Sequence, residues 1–152
     1  MSRGDYRRYN RAVLVGRLQP RLKQKHMLKV AMISIIDDDL LVRESTADLI
    51  SSLGHEPLIF DSAEQFLASG RLADTACIIT DLQMPGMSGL DLQASLLADG
   101  DLTPIIFITA YPKETTRARA LDAGAVAFLT KPYDESALLD SLEIALRRWA
   151  KG

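Results

Sequence analysis

A fivefold alternation limits the fold of this chain more than any other feature. Between Met32 and Trp149, five short apolar runs are each followed by a segment with helical spacing. The runs are Met32–Ile36, Pro57–Phe60, Cys77–Thr80, Pro104–Thr109 and Val126–Thr130. Runs this short, bounded by turn residues, are read as strands rather than buried helices. In the segments between, Val42, Thr46, Leu49, Ile50 and Leu53 share one helical face, as do Leu138, Leu142, Ala145, Leu146 and Trp149. Strands joined through helices must run parallel, and the helices must cover both faces of the sheet. The expected class is therefore α/β, with three layers around a five-stranded parallel sheet.

Local signals place the ends of the elements. Asp39 is suited to cap the first helix and Gly54 to close it. Pro57 confines the second strand to an edge, where a missing N–H is tolerated. Asp61 or Ser62 caps the second helix, which carries Phe66 and Leu67, and Ser88 caps the third, from about Ser88 to Ala98. The fourth helix, about Lys113 to Ala123, has few apolar residues beyond Leu121, so it is expected to be weakly anchored; Gly124 ends it. Asp134 or Ser136 caps the last helix.

The third run delivers a carboxylate, Asp81, to its end. Pro85, Gly86 and Gly89 then impose a tight loop, since Pro fixes φ and Gly permits positive φ. In a parallel sheet all strand C-termini share one edge, where open α/β sheets bind ligands. Asp37 and Asp38 follow the first strand, Thr109 ends the fourth, and Lys131 follows the fifth. These residues can therefore converge. Carboxylates held together repel unless a cation lies between them, and a hard ion with oxygen ligands, most simply Mg²⁺, meets that need. Lys131 adds positive charge, and the Thr109 hydroxyl can donate to a phosphate oxygen.

Charge is unevenly divided. Residues 1–26 hold eight Lys or Arg against one Asp, a balance of +7, whereas the remainder holds ten against nineteen acids, a balance of −9. Residues 1–28 show no sustained periodicity and are read as a basic, disordered extension, ahead of a domain at 29–152. The apolar run Ala12-Val13-Leu14-Val15 is too isolated to build a core. No run is long enough to span a bilayer, so no membrane role is expected. A single cysteine, Cys77, excludes an internal disulfide; it is read as a small core residue and fits a cytoplasmic setting. His26 and His55 do not suggest a His-rich metal site.

From about Met32 to Trp149 the chain resembles the receiver domain of bacterial two-component response regulators. The resemblance rests on Asp37-Asp38, on Asp81 within Asp-Leu-Gln-Met-Pro-Gly-Met-Ser-Gly, on Thr109-Ala110 and on Lys131-Pro132. The Met-Ser-Gly-Leu-Asp-Leu run is most similar to receivers of the nitrogen-fixation type that are joined to helix-turn-helix output domains. The resemblance implies a flavodoxin-like strand order, 2-1-3-4-5. It implies phosphorylation of Asp81 from a sensor histidine kinase, with Mg²⁺ held by Asp38, Asp81 and the Gln83 backbone carbonyl, and Asp37 acting through water. A cis Lys131–Pro132 bond, a switch coupling Thr109 to an aromatic at Phe128, and tuning of phosphoryl lifetime by Gln83 and Tyr111 follow in the same way. Phe128 lacks the hydroxyl of the Tyr found in many members, so its switch cannot use a Tyr-type hydrogen bond.

On this reading the protein is a signalling switch that catalyses only its own phosphoryl transfer and dephosphorylation. No output domain fits between the last helix and Gly152, so the sequence as it stands is expected to act as a stand-alone receiver. It would pass its signal by contact with an unidentified downstream protein, by relaying phosphate to a histidine phosphotransferase, or through a phosphorylation-dependent homodimer. Two alternatives stay open. Asp37-Asp38-Asp39 also satisfies the start of haloacid-dehalogenase-type phosphatases, with Asp37 as nucleophile, although no Gly-Asp-x-x-x-Asp follows Lys131. The basic arm could also tether an adaptor to nucleic acid, a partner not otherwise expected.

Overall fold

The computed structural model describes residues 30–151. All five strands form: β1 (Met32–Ile36), β2 (Glu56–Phe60), β3 (Thr75–Asp81), β4 (Ile105–Thr109) and β5 (Ala127–Thr130). They alternate with α1 (Leu40–Ser52), α2 (Ala63–Ala68), α3 (Gly89–Ala98), α4 (Glu114–Asp122) and α5 (Glu135–Lys151). The reading of residues 1–28 falls outside the described residues. Pairing is parallel throughout, in the order β2-β1-β3-β4-β5 of the flavodoxin-like fold.

Burial follows from that order. Central β3 is buried at every position, which is why it reads Ala-Cys-Ile-Ile with no polar alternate. Cys77 is fully buried there, and burial drives its thiol pKa far above the usual value. The edge strands β2 and β5 are only partly covered, and Pro57 lies on β2 as its edge position requires. Side chains alternate across the sheet. Ile33, Ile35, Cys77, Ile79, Ile106 and Ile108 form one core with Ile50 of α1 and Leu138, Leu142, Ala145 and Trp149 of α5. Ile36, Ile78, Ile105 and Phe107 form the other with Phe66 of α2, Leu92 and Leu96 of α3 and Ala120 of α4.

The capping residues act as their chemistry dictates. Asp39 accepts from the Leu41 and Val42 amides, Ser62 from Gln65, and Ser88 forms a capping box with Asp91. Asp134 serves α5, accepting from the Ser136 amide at 3.2 Å. After α1, the Gly54 amide donates to Ser51 O and the His55 amide to Ile50 O, the Schellman pattern.

Departures from the sequence reading are local. Leu53, expected on the buried face of α1, is the C-cap and is exposed, because the helix ends before its side chain can turn inward. Leu67 points outward beside fully buried Phe66, since a helix of six residues presents only one face to the sheet. A 3₁₀ turn at Leu72–Asp74, not foreseen, leads into β3.

The neighbours Phe66 and Leu67 offer a direct test of this packing. Phe66 meets Phe60 edge-on, with centroids 5.3 Å apart. Phe66→Ala is expected to lower unfolding free energy by about 3–5 kcal/mol. Leu67→Ala should cost well under about 1 kcal/mol, both read from urea denaturation.

Candidate functional site

Register brings the chemistry together. Ile36 pairs with Thr80, so Asp37 and Asp81 leave adjacent strands side by side. Asp81 pairs with Ile108, which sets Thr109 one step beyond, and Thr109 pairs with Thr130, which places Lys131 at the same edge. Asp37, Asp38 and Asp81 each direct a carboxylate oxygen into one cluster, all within 4.8 Å of one another. Asp37 and Asp81 are buried, and Asp38 is exposed.

Lys131 joins the two buried acids. Its Nζ lies 2.9 Å from Asp37 Oδ2 and 3.0 Å from Asp81 Oδ2. Burial alone would pull the ammonium pKa down; the hydrogen bonds and charges of Asp37 and Asp81 outweigh it and hold it above the usual value. Burial raises the pKa of Asp37, assisted by the Asp81 charge and opposed by the Asp39 amide and Lys131. The Lys131–Pro132 bond is cis, as the resemblance implies.

The flanking loops are tied by backbone amides. The Asp39 amide donates to Asp37 Oδ1 at 2.9 Å and the Gln83 amide to Asp81 Oδ1 at 3.2 Å. After Gln83, Gly86 adopts φ +79°, which an L side chain would resist. Gly89 is required for a different reason than the positive φ expected of it. A Cβ there would lie 2.5 Å from the Asp81 carbonyl oxygen and 3.0 Å from the Phe107 ring. The start of α3 thus abuts the backbone of the central acid.

The remaining sequence candidates occupy distinct positions. Thr109 is fully buried, and its Oγ1 accepts from the Tyr111 amide at 3.1 Å. Tyr111 and Gln83 are exposed. Phe128 is half-buried, its ring tilted against Phe107 at 6.4 Å. Two neighbours were not legible in the sequence. Arg43 of α1 donates from Nη1 to the Asp37 carbonyl at 2.6 Å, and Glu64 of α2 accepts from the Met87 amide at 2.7 Å. Neither follows from local spacing, because both depend on how a helix packs beside a loop.

Asp37 offers a pH test whose sign is fixed. Its folded pKa is raised, so the fold favours its protonated form, and ionisation costs stability once pH passes the unfolded value. In EDTA, Asp37→Asn is expected to raise the melting temperature near pH 7. The gain should fade as pH falls through about 4, the ordinary Asp range.

Comparison with known proteins agrees with this geometry. Residues 33–143 match the response regulator receiver domain family. The chain is 38% identical to nodulation protein W of Bradyrhizobium diazoefficiens, over 78% of this chain and 52% of that protein. It is 40% identical to the response regulator protein TodT of Pseudomonas putida, over 81% and 55%. The chain thus spans a little over half the length of these relatives. Among solved structures, the response regulator StyR superposes with a TM-score of 0.75 at 43% identity, covering 80% of this chain and 62% of that one. The structure of FixJ-N superposes at 0.69 with 32% identity, covering 77% and 94%.

Proposed function

The chain belongs to the response regulator receiver domain family of two-component signalling, and we propose that within it Asp81 is the phosphoacceptor that drives a conformational switch. One observation carries the assignment of Asp81. It is the buried carboxylate at the C-terminus of the central strand, it shares Lys131 with Asp37, and it opens the loop to α3. Neither alternative reading, a haloacid-dehalogenase-type phosphatase built on Asp37 or a nucleic-acid adaptor, finds support in these relatives.

A divalent cation fits the donor set. Three carboxylates meet one ammonium, which leaves two negative charges uncompensated within the cluster, and every donor is oxygen. Asp38, Asp81 and the Gln83 carbonyl would hold Mg²⁺, with Asp37 acting through water. When bound, the ion offsets negative charge on the oxygens of the transferring phosphoryl group.

The protein groups then divide the work. An Asp81 carboxylate oxygen attacks phosphorus of a phosphohistidine on a sensor histidine kinase or histidine phosphotransferase. The P–N bond breaks, the imidazole leaves, and an acyl phosphate remains on Asp81. Lys131, already held at hydrogen-bonding distance, balances charge on the phosphoryl oxygens. Thr109 Oγ1 accepts from the Tyr111 amide, which leaves its hydroxyl hydrogen to donate to the phosphoryl group. Turning toward Asp81 would loosen the hold on Tyr111, so the loop into α4 responds. Exposed Gln83 and Tyr111 flank the path of hydrolytic water and set phosphoryl lifetime. Among the described residues no helix is long and apolar enough to cross a membrane, and this reading places the protein in the cytoplasm.

The output surface on this reading is α4, β5 and α5. Helix α4 buries a single residue, Ala120, and its N-cap, Lys113, makes no side-chain capping bond. Such an element shifts cheaply. Near-complete conversion of a two-state element takes about 5 kcal/mol, and charge-assisted bonds from the phosphoryl group to Thr109 and Lys131 supply much of it. The surface would engage a downstream protein or a second copy of the chain.

Intact mass with acetyl phosphate and Mg²⁺ should show one phosphoryl adduct, absent in Asp81→Asn and in EDTA. A full adduct on that variant would overturn the assignment. Phe128→Ala should keep the adduct while amide exchange across residues 110–129 no longer responds to it. A normal response in that variant would remove Phe128 from the route.

A further inference from the structure

The loop that carries the Gln83 carbonyl is anchored in the core by Leu82 and Met84 and receives one hydrogen bond from outside. Its two ends are fixed by its own neighbours. The Gln83 amide bonds Asp81, the Ser88 amide bonds Asp91, and the Gly89 amide bonds the Leu82 carbonyl. The tip, residues 85–87, is held from across the sheet face. The Met87 amide donates to Glu64 Oε2 at 2.7 Å, and Glu64 is 23 positions away on α2. Among the hydrogen bonds of the described residues, Glu64 is the one side chain from outside β3 and α3 that reaches this loop.

The mount for Glu64 is firm. Ala63 and Phe66 on either side are fully buried. The helix N-terminus is capped reciprocally, with Ser62 Oγ accepting from the Gln65 amide at 3.0 Å and Gln65 Oε1 accepting from the Asp61 amide at 2.7 Å. The loop is also shaped to receive it, because a Cβ at Gly86 would lie 2.5 Å from Glu64 Oε2. A side chain at position 86 would push the carboxylate off the Met87 amide.

From this geometry we propose that Glu64 is a positioning residue for phosphoryl transfer: by clamping the Met87 amide, it sets the Asp81-to-Ser88 loop and so the Gln83 carbonyl that faces the metal. The inference rests on the reading of Asp81 as phosphoacceptor with Gln83 among the metal ligands. Glu64 is exposed and acts through the loop without touching the reacting atoms. A net hydrogen bond of ordinary strength corresponds to a change of roughly three- to tenfold in an equilibrium that requires the clamped loop.

The test uses the full chain as Glu64→Ala and Glu64→Gln, with Asp81→Asn as control. In EDTA, amide exchange over residues 83–88 should quicken in Glu64→Ala and return toward wild type in Glu64→Gln, whose amide oxygen can still accept from Met87. By calorimetry, Mg²⁺ alone should bind Glu64→Ala roughly three- to tenfold more weakly, with most of the affinity restored in Glu64→Gln. At saturating Mg²⁺ the acetyl phosphate adduct should form at a rate close to wild type. Wild-type Mg²⁺ affinity in Glu64→Ala, even with a lowered melting temperature, would reduce Glu64 to a local structural contact and overturn the inference. Equal losses in both variants would also overturn it, because charge rather than the clamp would then be responsible. Failure of the underlying reading looks different: wild type forms no adduct, or Asp81→Asn keeps it, while loop exchange still reports on the clamp.

Discussion

One ammonium makes the rest of this site tolerable. Lys131 reaches across from the strand beyond β4 to touch Asp37 and Asp81 at about equal distance. Two buried carboxylates this close would otherwise oppose each other's ionisation; burial, assisted by the Asp81 charge, still holds the Asp37 pKa above its usual value despite Lys131. On the proposed reading, a site short of positive charge would have affinity in reserve for a cation.

The sheet supplies the precision that such an arrangement needs. Parallel register fixes where each strand ends, and the two packed cores hold that register from both faces. A slip of one residue would turn Asp81 toward a hydrophobic layer. Rigidity is not uniform, however. The Asp81 side is tied by backbone amides, by the close approach of Gly89 and by a capping box at α3. Helix α4, one strand away, has little of this. On the proposed reading, a rigid centre beside a loosely held helix would let a local charge change become a movement elsewhere.

Much of this was legible in the chain because its signals are local. Alternating apolar runs set the strand count, Asp39, Ser62 and Ser88 announced their helices, and strand-end acids with Lys131 marked the edge that mattered. What escaped depended on where helices end and on how elements pack together. Leu53 and Leu67 fit an ideal helical face but fall where the helices end or present one side only. Gly89 looked like a turn residue, yet its constraint is steric, set by a carbonyl eight positions earlier in a neighbouring element. Arg43 and Glu64 carry no distinguishing signal in the sequence. Their partners are backbone atoms on other loops, which leave no pattern in the sequence.

Full burial of Cys77 on the central strand has a practical consequence. The thiol has no solvent contact and burial suppresses its thiolate, so alkylating reagents can reach it only when β3 is uncovered. With one cysteine in the chain, every modification event reports on that strand alone. The protein therefore carries an internal clock for opening of its core, readable by mass without any engineered label. Under conditions where closing outpaces labelling, the clock measures the equilibrium population of open molecules rather than the speed of opening.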